Sequence, residues 1–87
     1  MKIKNGFVVR EIAGECVVVA LGEASKIFNG IIKLNPTARI MWDMLAKGSD
    51  KDAVVDAILN DYEVDRETVE CDFDRFVEKL KGANILE

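Results

Sequence analysis

Histidine is absent from this 87-residue chain, cysteine occurs twice and proline once. Each scarcity closes a class of function. Acid–base and nucleophilic catalysis need a base beside a nucleophile in a cleft, and here that base cannot be histidine. Cys16 and Cys71 stand alone, with no CxxC or HExxH, so no plausible zinc ligand set exists. Gly22 and Gly30 bracket a turn without the GxGxxG or GxxxxGK(S/T) spacing that cradles phosphates. No run approaches the roughly 18 apolar residues of a membrane span. The opening MKIKNGFVVRE lacks the apolar core of roughly 7 to 15 residues that a signal peptide carries. On these absences the chain is expected to be soluble, cytoplasmic and non-catalytic, with no cofactor and no metal.

Acidic residues are plentiful, and their placement matters. Residues 1–34 sum to +2, 35–64 to −3 and 65–87 to −3. Asp50, Asp52 and Asp56 fall in the first half of a predicted helix, where negative charge complements the helix dipole, so they read as structural and not as catalytic carboxylates. The excess acid in the helical part also opposes duplex DNA, whose nonspecific affinity comes from Lys and Arg neutralising phosphates.

The length suits one domain, residues 1–87, burying about 60 % of its unfolded surface. FVVREI (7–12) and CVVVAL (16–21) are rich in β-branched residues around Ala13-Gly14, which is a hairpin signal. After GEASKIFNG comes IIKL (31–34), a third short strand that completes an antiparallel meander. Alternation groups Ile32 with Leu34, groups Val17 with Val19 and Leu21, and places Cys16 opposite Val17 and Val19. Asn35-Pro36 then pairs a preferred N-cap with a residue suited to the first helical position. The first helix, to about Lys47, carries Ala38, Met41, Trp42 and Leu45 as a stripe, and Gly48 closes it. Ser49 is the expected cap of a second helix bearing Val54, Val55, Ile58, Leu59 and Tyr62. Asp65 caps the third, with Val64 and Val69 as a hydrophobic staple. Val69, Phe73, Phe76, Val77 and Leu80 form its inward stripe, Gly82 is the expected stop, and Ile85-Leu86 folds back onto the core. Cys71 points away from that stripe, so a disulfide with Cys16 is not expected. The fold class is α+β and winged-helix-like, a three-stranded antiparallel meander followed by three α-helices.

Winged-helix domains often bind DNA, but from Asp65 to Lys81 the third helix carries six acidic residues against four basic ones. A recognition helix presents basic and amide side chains instead. The remaining feature is the sheet edge, where unpaired N–H and C=O groups accept an added strand unless proline, a bulge or inward charge blocks them. Between Gly30 and Leu34 there is no proline, and Lys33 is the single charge. The sequence leaves open whether Ile31 and Lys33 or Ile32 and Leu34 aim their backbone groups outward.

These residues, in this order, resemble the PqqD family, small proteins of pyrroloquinoline quinone biosynthesis whose fold also serves as the recognition element of ribosomally made, post-translationally modified peptides. The resemblance rests on Leu34-Asn35 followed by Thr37-Ala38 and Trp42, and on Asp72-Phe73 followed by Phe76, Leu80 and Ile85-Leu86. It implies a peptide-binding chaperone that takes the leader of a precursor peptide as an added strand beside the third strand. It also implies delivery to a modifying enzyme, often a radical S-adenosylmethionine protein. Carried onto this chain, the peptide-binding residues are Ile31, Ile32, Lys33 and Leu34 on the strand and Asp72, Arg75, Phe76 and Lys79 on the third helix. The segment from Gly22 to Gly30, with Phe28, is longer than the tighter turn of the family pattern, and is expected either to line the groove or to cover it. The competing readings are a winged-helix DNA-binding regulator and a general protein-interaction module. The chain is expected to be a monomer or a homodimer, with no nucleic-acid or membrane partner.

The charge distribution predicts no DNA binding at physiological salt. Titration of a labelled random duplex is expected to show no saturation; micromolar binding that weakens steeply with added salt would contradict it.

Overall fold

The computed structural model describes residues 2–28 and 30–87. In chain order the elements are β1 (Phe7–Ile12), β2 (Glu15–Ala20), α1 (Ala24–Ile27), β3 (Ile32–Leu34), α2 (Pro36–Ala46), α3 (Lys51–Asp61) and α4 (Arg66–Gly82). The strands form one antiparallel sheet in the order β1-β2-β3, so β3 is an edge. This is the expected α+β, winged-helix-like arrangement with one addition: the polar segment before β3 contains the single-turn helix α1.

The hairpin begins at its turn. Ala13 (φ 53°) and Gly14 (φ 80°) are both left-handed, the conformation of a two-residue type I′ turn whose twist matches that of paired strands. Cys16 and Val18 on β2 and Ile32 and Leu34 on β3 face the helices, together with Phe7 and Val9. Ile32 and Leu34 thus share a face with Val18, while Val17 and Val19 occupy the outer one. Alternation alone groups residues without saying which group faces inward. Val17 is nevertheless buried, flanked across the strands by Arg10 and Lys33, whose long aliphatic stems can cover it. At the other end of the hairpin Gly6 (φ 96°) touches α1: a Cβ there would sit 2.7 Å from the Ala24 Cβ, so only glycine fits.

Asn35 caps α2 as expected, its side chain accepting from the Ala38 N–H at 2.8 Å, with Pro36 in the first turn. For α3 the cap is Asp50, accepting from the Ala53 N–H at 2.9 Å, and not Ser49; the carboxylate also meets the positive end of the helix dipole. Asp65 stands at the N-cap of α4 without a side-chain bond. Val69 is buried and Val64 exposed, so the expected staple is one-sided. At its far end α4 continues through Gly82, and the left-handed residue is Asn84 (φ 61°). Asparagine tolerates this conformation. The Ile85 N–H then donates to the Leu80 carbonyl at 2.9 Å and turns the tail back. Ile85 and Leu86 are buried, Ile3 pairs with Leu86, and the Lys4 N–H donates to the Ile85 carbonyl at 2.8 Å.

The core gathers Trp42, Leu45, Val54, Val55, Ile58, Phe73, Leu80 and Ile85 between the sheet and the three longer helices. Tyr62, expected in the stripe of α3, lies past its last residue as an extended C-cap and is 38 % exposed. Leu80→Ala is expected to cost about 2 to 5 kcal/mol, the range for truncating a fully buried leucine. Lys79→Ala, one position along on the solvent side, should change stability by less than about 0.5 kcal/mol. Urea melts of the two variants check this; equal small effects would mean that α4 presents another face.

Candidate functional site: the edge of β3 and the flank of α4

The direction of each backbone group on β3 follows from the hairpin turn. In a two-residue hairpin the flanking pair, here Ile12 and Glu15, exchanges both hydrogen bonds, and bonded pairs recur at every second position. Arg10 with Val17 and Val8 with Val19 are therefore bonded pairs. The Leu21 N–H, donating to the Gly6 carbonyl at 2.7 Å, continues the same alternation. Glu15, Val17 and Val19 spend their backbone groups on β1, which leaves those of Cys16 and Val18 for β3, where their partners are Leu34 and Ile32. Lys33, lying between, aims its N–H and C=O at the free edge, and Ile31 has the same parity.

Beside this edge is a cleft of about 280 Å³ lined by Lys33, Asn35, Thr37, Ala38, Met41, Asp72, Arg75, Phe76 and Lys79. Its exposed lining is mainly polar: Met41 and Phe76 lie beneath it, buried in the core, and its wall is the charged flank of α4. Lys33 reaches over to Glu15 on the adjacent β2, Nζ to Oε2 at 3.4 Å, on the sheet face away from the helices.

Of the residues expected at the site, Lys33, Asp72, Arg75, Phe76 and Lys79 surround this one cleft. Ile32 and Leu34 do not: their side chains are buried in the core and their backbone groups are engaged with β2. Ile31 lies just outside β3 and is 62 % exposed. The sequence reading missed Asn35, Thr37, Ala38 and Met41. Asn35 was legible only as a cap, but a helix that starts directly after an edge strand must place its first turns at that edge, and Thr37 and Met41 are four apart on one face. The described residues from Gly22 to Gly30 neither line nor cover the cleft. Phe28 packs instead toward Phe7 with ring centroids 6.1 Å apart, closing one end of the core.

A larger cleft, about 650 Å³, adjoins the same end of β3, sharing Lys33 and Asn35 with the first and lying toward the hairpin turn and the start of α2, with Cys16, Leu34, Ile40 and Tyr62 among its lining. Here Arg39 holds Asp43 through Nε at 3.0 Å to both carboxylate oxygens and approaches the Cys16 Sγ through Nη1 at 3.6 Å. Asp43 first, and Cys16 second, keep the guanidinium pKa above its ordinary value. Cys16 and Cys71 are both free thiols. Among the described residues no group of His, Cys, Asp and Glu is arranged to hold a metal ion, and no helix is long and apolar enough to cross a membrane.

A small winged-helix-like domain with an open edge strand set beside its last helix defines a class in which the cleft offers binding groups and backbone pairing. Residues 15–86 match the family model described as coenzyme PQQ synthesis protein D, and the chain belongs to this PqqD family. Among solved structures it is similar to TbiB1 in complex with the TbiA(beta) leader peptide, with 32 % identity, a TM-score of 0.79, and coverage of 100 % of this chain and 95 % of that one. It is also similar in fold to a lasso peptide synthetase B1 complexed with the leader peptide, at 22 % identity and a TM-score of 0.78, covering 99 % of this chain and 95 % of that one. No curated protein matches the chain.

The assigned parity predicts opposite behaviour for two neighbouring substitutions. Ile32→Pro removes a donor used by β2 and leaves a Val18 carbonyl without its partner, a cost of about 1 to 3 kcal/mol before any packing loss. Lys33→Pro removes an N–H that points to solvent and should cost under about 1 kcal/mol. Thermal melts followed by circular dichroism compare them; equal losses would overturn the parity.

Proposed function

We propose that this protein binds the leader segment of a ribosomally made precursor peptide as an additional strand on β3 and presents it to a modifying enzyme. The observation that carries this reading is the outward parity of Lys33 and Ile31 at an edge with no proline, facing a cleft walled by α4. An extended peptide laid there satisfies the open backbone groups, and its side chains on the inner face enter the cleft. The reading is supported by the 32 % identical TbiB1, whose structure is a complex with a leader peptide. The contributing groups are the backbone of Ile31 and Lys33 and the side chains of Asp72, Arg75, Phe76 and Lys79. Ile32 and Leu34 serve as the strand that holds the edge in place.

The chain contributes binding and not chemistry: its conspicuous carboxylates stand in ion pairs or at helix starts, as with Asp74 and Lys51 at 3.0 Å, Asp56 and Arg66 at 2.8 Å, and Asp50 at its cap. On the family resemblance we assign the recipient enzyme to the radical S-adenosylmethionine class. A DNA-binding role is disfavoured by the excess of acidic over basic residues from Asp65 to Lys81.

Calorimetry with the synthetic leader of the precursor encoded beside this gene tests the reading. Saturable one-to-one binding is expected, lost in Lys33→Pro and kept in the exposed control Asp61→Asn. Unchanged affinity in a folded Lys33→Pro protein would place the peptide elsewhere.

A further inference from the structure

The charges around the cleft run against those of the whole molecule. The chain has a net charge of −4. Yet the α4 wall of the cleft presents Arg75 and Lys79 against the single carboxylate of Asp72. Arg39, Lys51 and Arg66 on the helices are held by acids, by Asp43, Asp74 and Asp56 respectively, whereas Lys81, at the end of α4 and away from the cleft, is not paired among the described residues. Among the described residues, Arg75 and Lys79 form no ion pair, although α4 has carboxylates to spare. Their position is also matched to a strand. Four residues of helix rise about 6 Å, and two residues of strand advance about 6.7 Å. Arg75 and Lys79 are therefore spaced to meet two consecutive inward-facing side chains of a peptide paired with β3.

Resting on the proposed strand addition, we infer that the bound segment carries Asp or Glu at two positions two apart, both on the face turned toward α4, seated against Arg75 and Lys79. The acids meet the guanidinium and ammonium groups of the α4 wall, in a cleft whose exposed lining is mainly polar. The cleft thus selects an acidic, alternating segment from among extended peptides. Lys33, on the outer face of the same strand and now shared with Glu15, lends the opposite side of the peptide a weaker preference of the same sign.

The test is selection of peptides from a displayed random dodecamer library on three immobilised proteins: the parent, the charge-reversed Arg75→Glu/Lys79→Glu variant and the edge-blocked Lys33→Pro variant. Circular dichroism confirms that each is folded. The parent is expected to enrich peptides with Asp or Glu at positions two apart. These peptides should bind the charge-reversed variant at least about tenfold more weakly, since like charges are then juxtaposed. The same peptides with Lys in place of both acids should recover affinity for that variant, and Lys33→Pro should retain neither set. Peptides that depend on the β3 edge but show no acidic pattern, or that bind the charge-reversed variant equally well, would overturn this inference and leave strand addition standing. Enrichment of nothing by the parent, or of peptides indifferent to Lys33→Pro, would overturn both.

Discussion

Everything at the candidate site depends on a two-residue turn some distance from it. With Ala13 and Gly14 both left-handed, Ile12 and Glu15 become a bonded pair, and the alternation of an antiparallel ladder carries that choice across the sheet. Val17 turns to β1, so Cys16 and Val18 must turn to β3. Lys33 is left facing outward. A turn one residue longer would shift the register and exchange the two sets, setting core residues at the rim and charged ones inside. The hairpin is thus the element that decides which atoms a partner meets at an edge it does not itself form.

The second constraint is that the edge has a wall. Asn35 and Pro36 end the strand and start α2 with no intervening loop, which holds Thr37 and Met41 beside Lys33. The tail reinforces α4 from the far end, where Asn84 reverses the chain and Ile85 and Leu86 enter the core against residues from the start of the sequence. A helix anchored at its far end by the tail, and along its length by the buried Val69, Phe73, Val77 and Leu80, presents Asp72, Arg75 and Lys79 beside the strand.

Much of this was legible from residues alone, for reasons that can be named. The hairpin announced itself through β-branched runs about Ala13-Gly14, α2 through the Asn35-Pro36 pair, and α4 through the spacing of Val69, Phe73, Phe76, Val77 and Leu80. The misreadings have local causes. Ser49 and Asp50 are adjacent and both can cap, and the acid adds dipole complementarity. Gly82 fits a helix stop, but Asn84 tolerates the same backbone and lets the tail reach Ile3. Tyr62 keeps the helical period of α3 on paper and falls one residue beyond its end in space. Within GEASKIFNG a single helical turn is too short to give a periodic signal. At the cleft, the flank of α4 could be drawn from a helical wheel, whereas Met41 and Thr37 required knowing which way α2 leaves the strand. The outward parity of β3 was unreadable because it is a property of pairing, not of any residue in the strand.

The brevity of β3 bears on what holds a partner. With three residues in the strand, only Lys33 and its immediate neighbours of like parity offer backbone groups, so a peptide gains few hydrogen bonds, each worth about 0.5 to 1.5 kcal/mol net. Ordering each peptide residue costs about 1 to 2 kcal/mol, which largely cancels that gain. For a peptide paired at this edge, the balance of the binding energy would then have to come from the side chains that meet α4. An edge this short fixes where an extended chain can align, and leaves the choice among such chains to the helix beside it.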